Sequence, residues 1–375
     1  MRDEGRETRD ERRGKRDERR GISNEVGEMR DKFRVKGHGT AMREVALRCI
    51  RSPYYVFLLF SCLVTRPSSV TFAAASPVVN EDAFLLDTLW SRYRALAPHD
   101  YIKVGIALGG GGARGLAHIG VLKAFEEGDV PVGAIAGNSV GALIGSLYAA
   151  GVTTAQMEEM TQEIGWSSLT NYSHYSLFRL VLLEQRLSTG NMEVYLRKHM
   201  GDTRFDQLKI PFACAATDLQ TGERVVFREG PVALAARASA TIPGMFEPVE
   251  FRHRYLVDGG LVSNLPTDLV ALMGADIIVA VDVTADIAHT QPKSVLAVLN
   301  QAIYIQSERL AQEELTRAQV VIRPAMDDIG AMDLSRSDEC INAGILAGRR
   351  AVPDIKRLIL EKRFEQLLKG IRTRS

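Results

Sequence analysis

The chain has 375 residues, 46% of them hydrophobic, and a formal net charge of +1. That is enough apolar material for a sizeable core and for one large or two medium domains. The near-neutral balance hides an asymmetry. Beyond residue 75 there are 30 basic and 35 acidic residues, a net of −5, which argues against nucleic acid as a partner.

Residues 1–41 open with Arg, Asp, Glu and Lys at almost every position to residue 20. Such a segment buries no apolar area and is expected to be a disordered extension. Residues 42–75 read differently. Arg43, Arg48 and Arg51 precede the apolar run Tyr54–Val64, and Phe72-Ala73-Ala74-Ala75-Ser76 follows. Basic, apolar, then small residues is the layout of a secretory signal. The run falls short of the about 20 apolar residues of a membrane span. Because a signal begins near the N-terminus, the expected start is Met42, with 1–41 an upstream extension. Leu59-Phe60-Ser61-Cys62 weakly resembles a lipoprotein box. Cleavage, lipidation and retention as an N-terminal anchor all stay open. Residues 76–100 connect this part to the rest.

From Tyr101 onward apolar runs alternate between strand and helix spacing, the pattern of an α/β sheet. The expected order begins with a strand at 102–108 and a helix at 116–127. A short strand at 132–136 and an apolar helix at 140–150 follow. Thr153-Thr154 caps another helix reaching 164. Residues 166–200 are irregular around Leu177–Leu183. That stretch, with Trp166, Tyr172, Tyr175 and Phe178, is either core or an apolar lining or contact surface. A strand at 211–217 and a hairpin arm at 224–227 precede an Ala-rich helix at 231–239. Then come a short strand at 255–257, a helix at 266–273 and a strand at 276–283. The chain closes with a long helix at 294–317, an edge strand at 320–323 and a mostly helical 338–368. No linker breaks 100–370, so a catalytic part at 101–283 and a helical part at 284–375 are expected to form one domain. Cys214 sits in an apolar run and is expected to be buried. With Cys340 it is one of two cysteines beyond the leader. No CxxC pair exists, so no zinc site is expected.

Three strings carry chemistry. Gly110-Gly111-Gly112-Ala113-Arg114-Gly115 follows a strand and opens a helix. Consecutive glycines turn N–H groups toward one point, and the helix N-terminus adds positive potential. The spacing also fits a dinucleotide loop. That reading wants an acidic residue ending the second strand, whereas Asp129 precedes it. Gly137-Asn138-Ser139-Val140-Gly141 lies between a strand and a small-residue helix, the setting of a nucleophile elbow. A serine capping an ordinary helix is the plain alternative. Asp258-Gly259-Gly260 places a carboxylate at a strand end. Seven histidines are present, none in the setting of a late catalytic histidine; His253 is the least poor of them. A Ser–Asp dyad dispenses with histidine.

In order and spacing these strings resemble the patatin-like phospholipase family. The similarity is to its bacterial branch related to neuropathy-target-esterase-type lysophospholipases. Supporting strings are Ala113–Leu122, Ala216–Gly222, Ser239–Phe246 and Val257–Pro266. The resemblance covers about 104–283, thins through 370 and is absent before 100. It implies a three-layer α/β/α sandwich with a mainly parallel central sheet. It further implies a serine acyl hydrolase releasing fatty acid from phospholipids or lysophospholipids. Ser139 would be the nucleophile and Asp258 the base. Gly110, Gly111 and Gly112 would form the oxyanion hole, with Arg114, Gly115, Gly137, Gly141, Gly259 and Gly260 supporting. Arg114 would either brace its loop or touch phosphate. Gly109 departs from relatives that carry Asp there, which blurs which N–H groups act. No metal or cofactor is implied. Lipid substrate and a membrane surface are the expected partners. With the leader, an exported or membrane-associated location in a bacterial periplasm or envelope is expected. A silent lipid-binding or scaffold protein of the same fold is the alternative.

Overall fold

Large and small apolar residues alternate along the strands, and that alternation decides the layering. A computed structural model describes residues 81–97, 101–163, 188–284, 295–326, 329–331 and 333–372. The expectations for 1–80 and for Trp166–Leu183 lie outside the described residues. Residues Ala83–Ser375 form one compact unit.

The strands are β1 (Val104–Leu108), β2 (Val132–Gly137), β3 (Phe212–Asp218), β4 (Arg224–Phe227), β5 (Val249–Phe251), β6 (Arg254–Asp258), β7 (Ile277–Val281) and β8 (Val320–Ile322). They form one sheet in the order β5-β6-β3-β2-β1-β7-β8, with β4 pairing β3. The β1–β2, β1–β7, β2–β3 and β7–β8 pairings are parallel. The β3–β4, β3–β6 and β5–β6 pairings are antiparallel.

Side chains on a strand point alternately to opposite faces. Val104, Ile106, Leu108, Ile135, Ile277, Val279 and Val281 fall on one face. Ala107, Ala136, Ala213, Ala215 and Ala280 fall on the other. The large-residue face is covered by α2 (Ala117–Glu127), α3 (Val140–Ala150), α6 (Val232–Ser239) and α9 (Ser337–Arg372). The alanine face lets α7 (Thr267–Leu272) and α8 (Val295–Leu315) come close, through Leu269, Val270, Ala311 and Leu315. Both faces are therefore buried, which is why the parallel strands read as continuous apolar runs. Each large side chain fully buried here stabilises by about 1.5–3 kcal/mol. The helices α1 (Glu81–Arg94), α4 (Thr154–Glu163) and α5 (Gly190–Met200) complete the unit.

Most elements lie within a few residues of their expected bounds. Two differ in kind. A 3-10 turn at Gly112–Leu116 precedes α2, so the glycine string does not open the α-helix directly. The β5–β6 hairpin has no expected first strand. Its turn residues Arg252 and His253 hold φ of 50° and 64°, a conformation ordinarily signalled by Gly or Asn. Cys214 is fully buried as expected.

The C-terminal helix is seated by missing side chains. A Cβ on Gly120 of α2 would collide with the Ile341 carbonyl, and one on Gly344 of α9 with the Ala117 carbonyl. This close crossing fixes the 3-10 turn that leads out of the glycine string.

Candidate active site

β2 ends at Gly137, and two residues later the backbone of Ser139 adopts φ 54° and ψ −127°. A non-glycine residue held there costs about 1–3 kcal/mol and persists only where its surroundings over-determine it. Those surroundings are visible. A Cβ on Gly137 would collide with the Gly141 carbonyl, and one on Gly141 with the Leu108 carbonyl. The Ser139 N–H donates to Ser239 Oγ at 3.0 Å. Neighbouring Asn138 is buried and ties β3 to the loop after Asp258. Its Oδ1 accepts from the Ala215 N–H at 3.2 Å, and its Nδ2 donates to the Ser263 carbonyl. The Ser139 hydroxyl makes no capping bond to α3. It donates instead to Asp258 Oδ2 at 2.6 Å. The plain helix-cap alternative is thereby ruled out.

Sheet register brings that pair together. Gly137 stands opposite Cys214 on β3, and Asp258 opposite Ala216. Ser139, two residues past Gly137, comes level with Asp258. Both residues therefore sit at the edge where the parallel strands β1, β2 and β3 end. β6 runs antiparallel to β3, so its C-terminus arrives from the opposite direction and meets the β2 turn over the sheet end.

Asp258 is 8% exposed. Its Oδ1 accepts from the Gly260 N–H at 2.8 Å, and its own carbonyl accepts from Thr217 Oγ1 at 2.8 Å. A Cβ on Gly259 would collide with the Ala215 carbonyl, so the turn needs that glycine. Burial pushes the Asp258 carboxyl up to about 6, against the bonds from Ser139 and Gly260 that pull it down. A carboxylate so placed is half-ionised near pH 6 and competent as a base above it.

The glycine string is pinned on both sides of a gap. Gly109 N–H donates to the Val281 carbonyl at 3.1 Å and Gly110 N–H to the Asn264 carbonyl at 3.2 Å. Ala113 N–H donates to the Ala331 carbonyl at 2.7 Å. Between them, the N–H groups of Gly111 and Gly112 carry no partner among the described residues. Both glycines line one cavity with Ser139 and Asp258. Gly110 lines it too, but its N–H is already spent. Gly112 holds φ 60°, where only glycine is unstrained. Gly115 leaves room for Val140, whose side chain a Cβ there would strike.

Arg114 is buried and lines neither cavity. Its Nη1 donates to the Ile329 carbonyl at 3.3 Å, and its guanidinium lies 5.9 Å from the Tyr304 ring centroid. Loop bracing is the contact it makes. Burial holds its pKa below the usual value. His118 backs the same loop. It is fully buried, burial pushes it down to about 4, and its Nε2 lies 2.8 Å from the Gly109 carbonyl. The neutral ring thus donates through Nε2. No histidine among the described residues lines either cavity.

Two cavities meet at Ser139. The smaller one joins Asn264, Tyr304 and Ser307, with Ile242, Leu261 and Ile303, to Ser139, Asp258 and the glycines. The apolar one has a volume of about 110 Å³, near the about 150 Å³ of an apolar cavity that takes up benzene. Val140, Leu143, Ile144 and Leu147 form one wall, and Met157, Met160 and Leu196 lie among the others. The α3 wall recurs at helical spacing and runs about 10 Å at 1.5 Å per residue.

A mixed, mostly parallel sheet under helices, with a serine turn and a glycine turn at its end, is a patatin-type α/β fold. Residues 106–271 match the patatin-like phospholipase family, and the chain carries a domain of that family. An uncharacterized NTE family protein of Mycobacterium tuberculosis is 39% identical over 186 residues, 48% of each chain. A patatin-like phospholipase domain-containing protein of Caenorhabditis elegans is 36% identical over 48% of this chain and 13% of its own. Lysophospholipase nte1 of Aspergillus niger is 28% identical over 68% of this chain and 18% of its own. The chain thus spans about half the length of the mycobacterial relative, and less of the others.

Asn138, Ser239, Asn264 and Tyr304 escape sequence reasoning as site residues. Ser239 and Asn264 lie inside strings that carry the family resemblance, which was their available signal. Asn138 and Tyr304 carried none of their own.

Proposed function

We propose that this protein is a serine lipid acyl hydrolase that releases fatty acid from phospholipids or lysophospholipids. The observation that carries the reading is the 2.6 Å bond from Ser139 Oγ to the buried Asp258 carboxylate. The apolar cavity on one side of Ser139 and the cavity lined by Asp258 and the glycines on the other add support.

Asp258 takes the hydroxyl proton as Ser139 Oγ attacks the acyl carbonyl carbon. The carbonyl oxygen becomes an oxyanion facing the Gly111 and Gly112 N–H groups. Such donors are each worth about 10²–10³ in rate. The tetrahedral adduct collapses, the C–O bond to the alcohol breaks, and Asp258 returns the proton to the leaving oxygen. Water then attacks the acyl-serine, giving its proton to Asp258. The second adduct collapses, the bond to Ser139 Oγ breaks, Asp258 returns the proton to that oxygen, and fatty acid leaves. The acyl chain lies along the α3 wall. The leaving alcohol lies toward Asn264, Tyr304 and Ser307. The substrate implies work at a lipid surface, and the basic–apolar–small leader of residues 42–75 suggests export or membrane association.

The test is fatty-acid release from a phospholipid and lysophospholipid panel, beside fluorophosphonate labelling. The wild type is expected to hydrolyse and to label at Ser139, and Ser139→Ala to do neither. Hydrolysis retained by Ser139→Ala would overturn the dyad. A wild type that binds lipid without turnover would overturn the hydrolase reading.

A further inference from the structure

The family match ends at residue 271, yet much of what holds the site arrives later, from α8. Gln306 Nε2 donates to the Leu261 carbonyl at 2.5 Å, and Ser307 Oγ to the Gly260 carbonyl at 2.9 Å. These grip the turn immediately after Asp258. Two helical turns on, the half-buried Glu314 grips the next stretch. One carboxylate oxygen accepts from Ser263 Oγ at 2.6 Å. The other accepts from the Asn264 N–H at 3.1 Å and the Leu265 N–H at 2.7 Å.

Those held residues have a second job. The Ser263 carbonyl is the acceptor for Asn138 Nδ2, next to Ser139. The Asn264 carbonyl is the acceptor for the Gly110 N–H, next to Gly111. The two acceptors sit on consecutive residues outside any regular element. The peptide planes that carry these two carbonyls also carry the Asn264 and Leu265 N–H groups, and both of those donate to Glu314, while Ser263 adds its hydroxyl and gives its own N–H to the Gly259 carbonyl. One carboxylate is thus connected, in two hydrogen bonds each way, to the serine turn and to the glycine turn. An ionised carboxylate only accepts, so it satisfies three converging donors without conflict.

We propose that Glu314 is a positioning residue that sets the serine turn and the glycine turn relative to each other. This rests on the hydrolase reading above. The carboxylate touches no reacting atom; it fixes the two carbonyls against which Asn138 and Gly110 are aligned.

The test is Glu314→Gln. The amide keeps the volume but removes the charge: its oxygen still serves the two backbone N–H groups, while its NH₂ can only donate to Ser263 Oγ, whose own proton loses its acceptor. Misplacement of about 1 Å costs up to about 10² in rate, so a fall in kcat of about tenfold is expected. KM is expected to stay within twofold. The rate of fluorophosphonate labelling is expected to fall in parallel with kcat, both counted per folded molecule by urea melts. Ser263→Ala removes one of the three donors and leaves both backbone bonds, so a smaller fall, about threefold, is expected. If Glu314→Gln does not fold, Ser263→Ala decides alone. Wild-type kcat per folded molecule in the soluble variants overturns the proposal. So does a rise in KM at unchanged kcat. A wild type that neither hydrolyses lipid nor labels overturns the hydrolase reading and this inference with it.

Discussion

Replacing Asp258 with asparagine tests the dyad through stability as well as rate. In the folded protein, burial raises this carboxyl to about 6, against about 3.9 in an unfolded chain. The folded state therefore holds the proton more tightly. Stability from this group is full below about pH 4 and is lost as the pH rises through about 6. The gap of about two pH units corresponds to about 3 kcal/mol held against the native state at neutral pH. Asparagine carries no charge to desolvate. Its Oδ1 keeps the Gly260 N–H, and its Nδ2 can donate to Ser139 Oγ. We expect Asp258→Asn to be about 1–3 kcal/mol more stable than wild type at pH 7.5, the lower bound allowing for imperfect bonds. Near pH 4 the two are expected to match. Activity is expected to fall by about 10²–10⁴, the worth of a general base. Wild-type kcat/KM should rise through about pH 6 to a plateau. Urea melts at the two pH values and a pH–rate profile read this out. An asparagine variant less stable at pH 7.5, or offset equally at both pH values, would refute the reasoning.

Gly112→Ala places a Cβ against the Ala331 carbonyl at φ 60°. Hydrolysis is expected to drop by about 10² or more as the loop N–H groups swing away; steady-state rates on a soluble ester check it. Leu147→Trp fills the far end of the apolar cavity and is expected to shift preference toward shorter acyl chains, read from a chain-length series. His253→Ala is expected to keep kcat within twofold, because the ring sits on the β5–β6 turn away from both cavities. His118→Ala, which loses a buried ring and its bond to Gly109, is expected to cost about 1–3 kcal/mol in urea melts while Ser139 still labels.

The helix over 140–150 and the strand into Gly137 were legible because their apolar spacing and glycine punctuation are local. So were the strings that carry the proposed pair. Ser139 and Asp258 announced themselves through Gly-x-Ser-x-Gly and Asp-Gly-Gly, strings in which Gly137, Gly141 and Gly259 stand where a Cβ would strike a facing carbonyl. The β5 strand was not legible, since the Arg252–His253 turn reaches positive φ without the usual residues. Nor was the direction of β6. Strand pairing is a long-range choice, and nothing within Arg254–Asp258 tells whether its neighbour runs with or against it.

Composition and local spacing alone determined an α/β sheet, a glycine turn, a serine on a strand–turn–helix and a carboxylate at a strand end. The tertiary structure decided the rest. Register across β3 brought Ser139 Oγ to 2.6 Å from Asp258. The bond from Gly110 to Asn264 narrowed the free loop donors to Gly111 and Gly112. Helix α8, remote in sequence, supplied the carboxylate under both turns. Each of these depends on hydrogen bonds between residues far apart along the chain, and only the folded sheet and its helices bring such partners within reach.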